Sequence, residues 1–197
     1  MEIDAKQRLV KLSVGEFARF SPYSQRTASA GFGNWRAQVG QQWHQEIQKN
    51  ALAEGFVNEL SISGDLLWNG WTLSLSGRID QIGDSTDRIQ IREIKTIATL
   101  LPIDPLETAA LYKSYCLQLL AYRELLIRER NVPVEQIDLD LLLVEISSGI
   151  TQNIRLDGDQ YDSLIVDQLD RLASYLDQKS ARLARLRALQ FKPAYET

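Results

Sequence analysis

Residues 71–97 read Trp71-Thr72-Leu73-Ser74-Leu75-Ser76-Gly77-Arg78-Ile79-Asp80-Gln81-Ile82-Gly83-Asp84-Ser85-Thr86-Asp87-Arg88-Ile89-Gln90-Ile91-Arg92-Glu93-Ile94-Lys95-Thr96-Ile97. Trp71, Leu73, Leu75 and Ile79 recur at a period of two, which predicts a strand from Trp71 to Ile82. Gly83 to Asp87 is turn chemistry, and Ile89, Ile91 and Ile94 mark the strand that returns from it. The two strands form a hairpin. On the returning strand, side chains two apart share a face, so Ile89 and Ile91 are followed on that face by Glu93 and Lys95. Burying either charge alone costs several kcal/mol, so the pattern is tolerable only if the two meet each other, a metal ion or water. The alternative is a surface hairpin whose Glu93 and Lys95 pair in solvent. Asp80, on the preceding strand, is the natural second carboxylate. With a turn symmetric about Ser85, however, Asp80 faces Gln90 and shares a face with Ser74 and Ser76. A common ion then requires a bulge, twist or splay, for which Gly77 is the expected place.

Outward from this hairpin, strands and helices alternate. An N-terminal segment, Leu12 to Tyr23, leads into a loop from Ser24 to Asn34 rich in glycine and small polar residues. A helix is expected from about Trp35 to Glu54, with Val39, Trp43, Ile47 and Ala51 on one stripe, followed by a strand from Phe56 to Ser63. Downstream of the hairpin, Pro102 and Pro105 precede a helix from Leu106 to Arg130, which Asn131-Val132-Pro133 stops. A second hairpin pairs Ile137 to Ile146 with Ile150 to Leu156. Last comes an amphipathic helix from Asp159 to about Leu189, whose apolar stripe runs from Tyr161 through Leu176 to Leu186. This order predicts an α/β fold, a central mixed β-sheet flanked by helices, in one domain over 1–197.

Composition narrows the chemistry. The chain has 197 residues, 44% of them apolar, and a formal net charge of -4. No stretch is long and apolar enough to span a membrane, so a cytoplasmic protein is expected. The single cysteine, Cys116, cannot make an internal disulfide or hold an iron–sulfur cluster. No Gly-x-x-x-x-Gly-Lys-Ser/Thr loop is present, so no nucleotide cofactor is expected. The charge balance argues against a surface that binds nucleic acid everywhere, yet Lys179 to Lys192 holds Arg182, Arg185 and Arg187 and no acid. That stretch is either a solvated helix face or a contact for a phosphate backbone.

Two carboxylates and an ammonium group are the parts with which a divalent ion and a water molecule hydrolyse a phosphodiester. Gly77-Arg78-Ile79-Asp80, then Glu93-Ile94-Lys95-Thr96, then Gln118-Leu119-Leu120-Ala121-Tyr122, preceded by Arg36, Gly40 and His44 at four-residue spacing, strongly resembles the RecB-type branch of the PD-(D/E)XK nuclease superfamily. The resemblance runs from about Val14 to Pro193. It implies a restriction-endonuclease-like core and a Mg²⁺- or Mn²⁺-dependent DNA nuclease, an exonuclease by analogy, acting on single strands or free ends in repair or recombination. It further implies that His44, Asp80, Glu93 and the carbonyl of Ile94 bind the ion and that Asp80, Glu93 and Lys95 are catalytic. Gln118, Tyr122, Arg36 and Arg78 would contact substrate or brace the catalytic strand, and Glu59 stands where such domains often carry another acid. His44 is the only histidine, and its helical spacing from Arg36 and Gly40 puts the three near one face; the bland reading is a satisfied boundary residue. The tail from Leu189 to Tyr195 resembles the junction after which some nucleases continue into a helicase, which makes 190–197 a candidate linker and a helicase a candidate partner. The chain lacks the four cysteines of the cluster-bearing relatives. A catalytically silent DNA-binding or scaffolding module is the competing expectation.

Overall fold

The computed structural model describes residues 1–22, 33–53, 55–85, 87–157 and 159–190, with the side chains of 33–38, 51–53, 159–160 and 187–190 outside that description. The loop expected from Ser24 to Asn34 and the tail after Leu189 therefore fall largely outside it. Seven strands form one mixed sheet: β1 (Glu2–Asp4), β2 (Leu9–Ser13), β3 (Phe56–Trp68), β4 (Trp71–Asp84), β5 (Ile89–Ile97), β6 (Ile137–Glu145) and β7 (Thr151–Arg155). The main path is β1-β2-β4-β5-β6-β7, and β3 pairs with β4 outside it. The β2–β4 and β5–β6 pairs are parallel, and the other pairs are antiparallel. This is the expected α/β architecture.

The helices are α1 (Val14–Ala18), α2 (Gly33–Ala53), α3 (Thr108–Leu111), α4 (Lys113–Arg130) and α5 (Asp159–Gln190). Ser13 caps α1 through a capping box with Glu16, satisfying two otherwise free backbone donors. The helix α4 lies at the centre. Cys116, Leu117, Leu119, Leu120, Ala121, Leu125 and Leu126 are all buried on it, so its middle turns are enclosed by protein on every side. It packs on β3, β5 and β6 and against α1 and α5. Lys95 reaches the ring of Tyr115 on α4, whereas its neighbour Thr96 meets Gly40 on α2. Adjacent strand residues point to opposite faces, so α2 and α4 cover opposite faces of β5.

Several expected boundaries are corrected. The strand expected from Phe56 to Ser63 continues to Trp68 and turns through Asn69 and Gly70, both at positive φ, to form a further hairpin with β4. The N-terminal strands β1 and β2 were not foreseen; they are too short to establish a period. The helix expected from Leu106 starts as a 3-10 turn at Pro105–Glu107 and a separate α3, leaving Leu111 exposed. In α5 the apolar stripe is buried only as far as Leu176, and Leu183 and Leu186 are exposed.

The register of β4 on β5 also differs from the symmetric turn about Ser85. Gln81 pairs with Arg92 and Ile82 with Ile91, because the loop closes when Ser85 donates its backbone N–H and its hydroxyl to the carbonyl of Arg88. Extending that register by one step puts Asp80 opposite Glu93, not Gln90. The ladder ends at Gln81–Arg92, and upstream the same edge of β4 is taken by β2, at Thr72 to Ser76. From Gly77 to Asp80 the edge of β4 is therefore open, and the sheet splays there.

Candidate active site

The splay holds the residues that sequence marks. Beyond the last β4–β5 pair, Ile94 has no strand carbonyl of β4 to bond, and its N–H is donated to Asp80 Oδ2 at 2.8 Å. A carboxylate thus replaces the next rung of the ladder. The carbonyl of Ile94 meets His44 Nε2 at 2.8 Å, and that nitrogen lies 3.8 Å from Asp80 Oδ2. Glu93 is 3% exposed and is ion-paired with Lys95 through Oε1. Its second oxygen, Oε2, is buried with no partner among the described residues. Lys95 also stands 5.6 Å over the ring of Tyr115. The structure brings His44, Asp80, Glu93, Ile94 and Lys95 to one place.

How β4 delivers Asp80 there is a local event opposite Glu59. In β3, Asn58 bonds the carbonyl of Gln48 on α2, whereas Gly64 lies against Leu125 on α4. Both are even-numbered, so unbroken alternation would put them on one face. Between them Glu59 has φ +59°, a left-handed conformation that costs an ordinary residue roughly 1–2 kcal/mol. The pairs Asn58–Gln81 and Leu60–Ile79 flank it, but Glu59 and Asp80 are not themselves paired. In β4 the buried apolar positions accordingly change phase, from Leu73, Leu75 and Ile79 to Ile82. The irregularity expected at Gly77 thus lies at the Glu59–Asp80 step. Gly77 has a different task, since a Cβ there would stand 2.7 Å from Tyr122 Cε1 and 3.1 Å from Val14 Cβ.

Two helices fix the flanks. A Cβ at Gly40 would lie 2.8 Å from Thr96 Oγ1, so the glycine lets α2 approach β5 closely. Four helical residues rise about 6 Å and two strand residues about 6.6 Å, so the contact Gly40–Thr96 places His44 on Ile94. On the other face, Tyr122 donates its hydroxyl to the carbonyl of Arg78 at 2.9 Å, which ties α4 to the open edge of β4. This geometry supports bracing for Tyr122. Gln118, one turn away, is buried at 6% exposure. Arg78 is exposed and ion-paired with Glu59 at 3.3 Å. That pair, and the cover Tyr115 gives Lys95, depend on a phase change and a register that no local pattern signals. Arg36 lies on α2, but its side chain is outside the described residues.

Burial pushes the Glu93 carboxyl up to about 7; Lys95 opposes that rise and the charge of Asp80 adds to it. The same burial raises the Tyr122 hydroxyl. Among the described residues no three His, Cys, Asp or Glu side chains form a ready-made ion shell. Glu93 is turned partly to Lys95, and His44 to Ile94. The donors nonetheless fit a small divalent ion. They are hard carboxylate and carbonyl oxygens with one imidazole, and a buried carboxylate oxygen lacking any hydrogen bond is a group that a cation satisfies.

A family model described as the PD-(D/E)XK nuclease superfamily matches residues 7–196. Among solved structures the chain is similar to SSO0001, with a TM-score of 0.50 and 13% identity over 88% of this chain and 76% of that one. It is also similar to a candidate exonuclease from Eubacterium rectale, with a TM-score of 0.50 and 10% identity over 75% of this chain and 53% of that one. The match thus spans about half of that protein's length, and at such identity both likenesses speak for the fold alone. No curated protein matches the chain. A mixed sheet that splays around an aspartate and a Glu-x-Lys, together with a family match over almost the whole length, makes the chain a member of the PD-(D/E)XK nuclease superfamily.

Proposed function

We propose that this chain is a divalent-metal-dependent DNA nuclease of the RecB-type branch, cutting phosphodiester bonds of single strands or free ends in repair or recombination. The observation that carries this reading is the buried Glu93 Oε2, without a partner among the described residues, at the splay where Asp80, His44 and the Ile94 carbonyl converge. Asp80, Glu93, His44 and the Ile94 carbonyl would hold Mg²⁺ or Mn²⁺. The bound ion supplies the positive charge that polarises the phosphoryl oxygen and acidifies a water molecule.

The chain's own residues do the rest. Lys95, held by Glu93 and covered by Tyr115, keeps an ammonium group at the mouth of the site, where it orients the attacking water and offsets charge growing on the phosphate. Asp80 fixes the catalytic stretch of β5 by accepting from Ile94. Tyr122 braces the β4 edge through Arg78. Arg78, ion-paired with the exposed Glu59, would exchange that carboxylate for a substrate phosphate.

The order of the motifs supports the RecB-type assignment, and a helicase domain or subunit is the partner this reading names. Incubating labelled single-stranded and duplex DNA with Mn²⁺, Mg²⁺ or chelator tests the proposal. Cleavage is expected only with metal, and Lys95→Ala or Asp80→Ala should lower it by at least ~100-fold. Metal-independent binding with no cutting under any condition would instead mark a scaffolding module.

A further inference from the structure

Three adjoining depressions run beside the helices, away from the metal-binding donors. The first is lined by Arg19, Lys113, Gln168 and Arg171 among others, the second by Arg171, Ser174, Tyr175 and Gln178, and the third by Tyr175, Lys179 and Arg182. They share Arg171, Tyr175 and Gln178, so they form one run. Five cations line it: Arg19, Lys113, Arg171, Lys179 and Arg182. Among the described residues no carboxylate lines these three, although the chain as a whole is net negative; a fourth depression that adjoins them at Arg19, Phe20 and Tyr175 holds Glu16, whose charge is taken by the Met1 amino group.

The helix α5 explains how an acidic protein arrives at such a strip. Its Asp170 accepts from Trp68 Nε1 at 2.7 Å and Asn69 at 3.0 Å, and its Asp177 accepts from Trp71 Nε1 and Arg8, both at 2.9 Å. These carboxylates are used on the side that meets the β3–β4 hairpin. Arg171, Tyr175, Gln178 and Arg182 follow one another at helical spacing on a different face. Asp167, one turn before Arg171, does not line the run. None of the five cations forms an ion pair among the described residues. Lys179 stands 5.6 Å over the ring of Tyr175, the aromatic group midway along. The near end of the run is Lys113, two residues before Tyr115, whose ring covers Lys95.

We infer that this run is a binding track for the backbone of single-stranded nucleic acid leading away from the cleavage site. Unpaired cations at intervals, with an aromatic ring between them, are what a strand of phosphates and bases requires. From Arg171 to Arg182 the track is about 16 Å long, enough for several nucleotides. Its direction relative to cutting rests on the nuclease reading; its affinity for phosphate does not.

The test is therefore made without metal. Anisotropy of labelled oligothymidylate, titrated with the full chain in chelator over a series of salt concentrations, gives the slope of log K against log salt. Replacing Arg19, Lys113, Arg171, Lys179 and Arg182 together by glutamine should reduce that slope by about 3.5, since each single-strand phosphate contact carries roughly 0.7. Replacing only the arginines by lysine should preserve it. Four of the five residues are exposed and Lys113 is half-buried, so unchanged circular dichroism is expected of both variants. An unchanged slope in the glutamine variant overturns the track, as does an equal slope loss on blunt duplex of the same length, which would replace a single-strand track with a general basic patch. Wild-type protein that binds with the full slope but never cleaves with metal would refute the nuclease reading and leave the track standing.

Discussion

Glu93 is the side chain whose environment is hardest to explain without an ion. Its carboxyl is held up to about 7 by burial, against an ordinary value near 4.5, despite the opposing ammonium of Lys95. Because the folded protein holds that proton more tightly than the unfolded chain, the contribution to stability is complete below about pH 4.5 and is lost as pH rises through about 7. In metal-free protein, Glu93→Gln should therefore leave Tm nearly unchanged at pH 5 and raise it by several degrees at pH 8, as differential scanning calorimetry would show. A variant less stable than wild type at pH 8 would mean that the Lys95 pair outweighs the burial cost. Much of this was legible from residues alone: an acid and a lysine following two isoleucines on one face mark a charge forced inward. What the residues could not state is which oxygen is left over, since that depends on Lys95 turning to Oε1 and on Tyr115 closing its other side.

At the scale of elements, two close contacts set the site and each makes a prediction. Gly40→Ala would push α2 off β5, because the new Cβ meets Thr96 Oγ1 at 2.8 Å. A loss of roughly 1–3 kcal/mol is expected for such overpacking, and Thr96→Ala in the same chain should restore part of it. Urea unfolding of the two single variants and the double one gives the coupling, and additivity would show that this contact does not position His44. Glu59 stores strain of another kind. Glu59→Gly should relieve its left-handed backbone, so the usual glycine penalty is offset and stability changes by no more than about 1 kcal/mol, whereas Glu59→Val should cost well over 1 kcal/mol. Equal effects would mean that the conformation is not enforced in solution. The hairpin itself was legible from its period of two. Its register was not, because closure at Ser85 and Arg88 and the phase change at Glu59 are settled by backbone bonds that side-chain periodicity does not record. The long helices were legible for the converse reason, since their apolar spacing persists over many turns.

At the scale of the molecule, the fold works by burying α4 against one face of the sheet while leaving the edge of β4 open from Gly77 to Asp80. Leu73, Leu75, Ile79, Ile91, Leu117, Leu120 and Leu125 belong to one continuous core, and that core supports the cost of holding charge at the splay. Short β1 and β2 matter here beyond their length. By pairing in parallel with the first half of β4, β2 occupies the edge that β5 would otherwise extend along, and so determines where the sheet opens. No stretch that brief carries a readable pattern, which is why the mixed sheet could be expected from sequence and the position of its opening could not. On the reading proposed above, this opening holds a cation between acids thirteen residues apart in the chain. A crystal soaked in Mn²⁺ tests it directly by anomalous diffraction. A peak is expected at roughly 2–2.5 Å from a carboxylate oxygen of Asp80, from Glu93 Oε2 and from the carbonyl of Ile94, with His44 turned toward it. A crystal that takes up manganese elsewhere, while Glu93 Oε2 stays buried and bare, would contradict it.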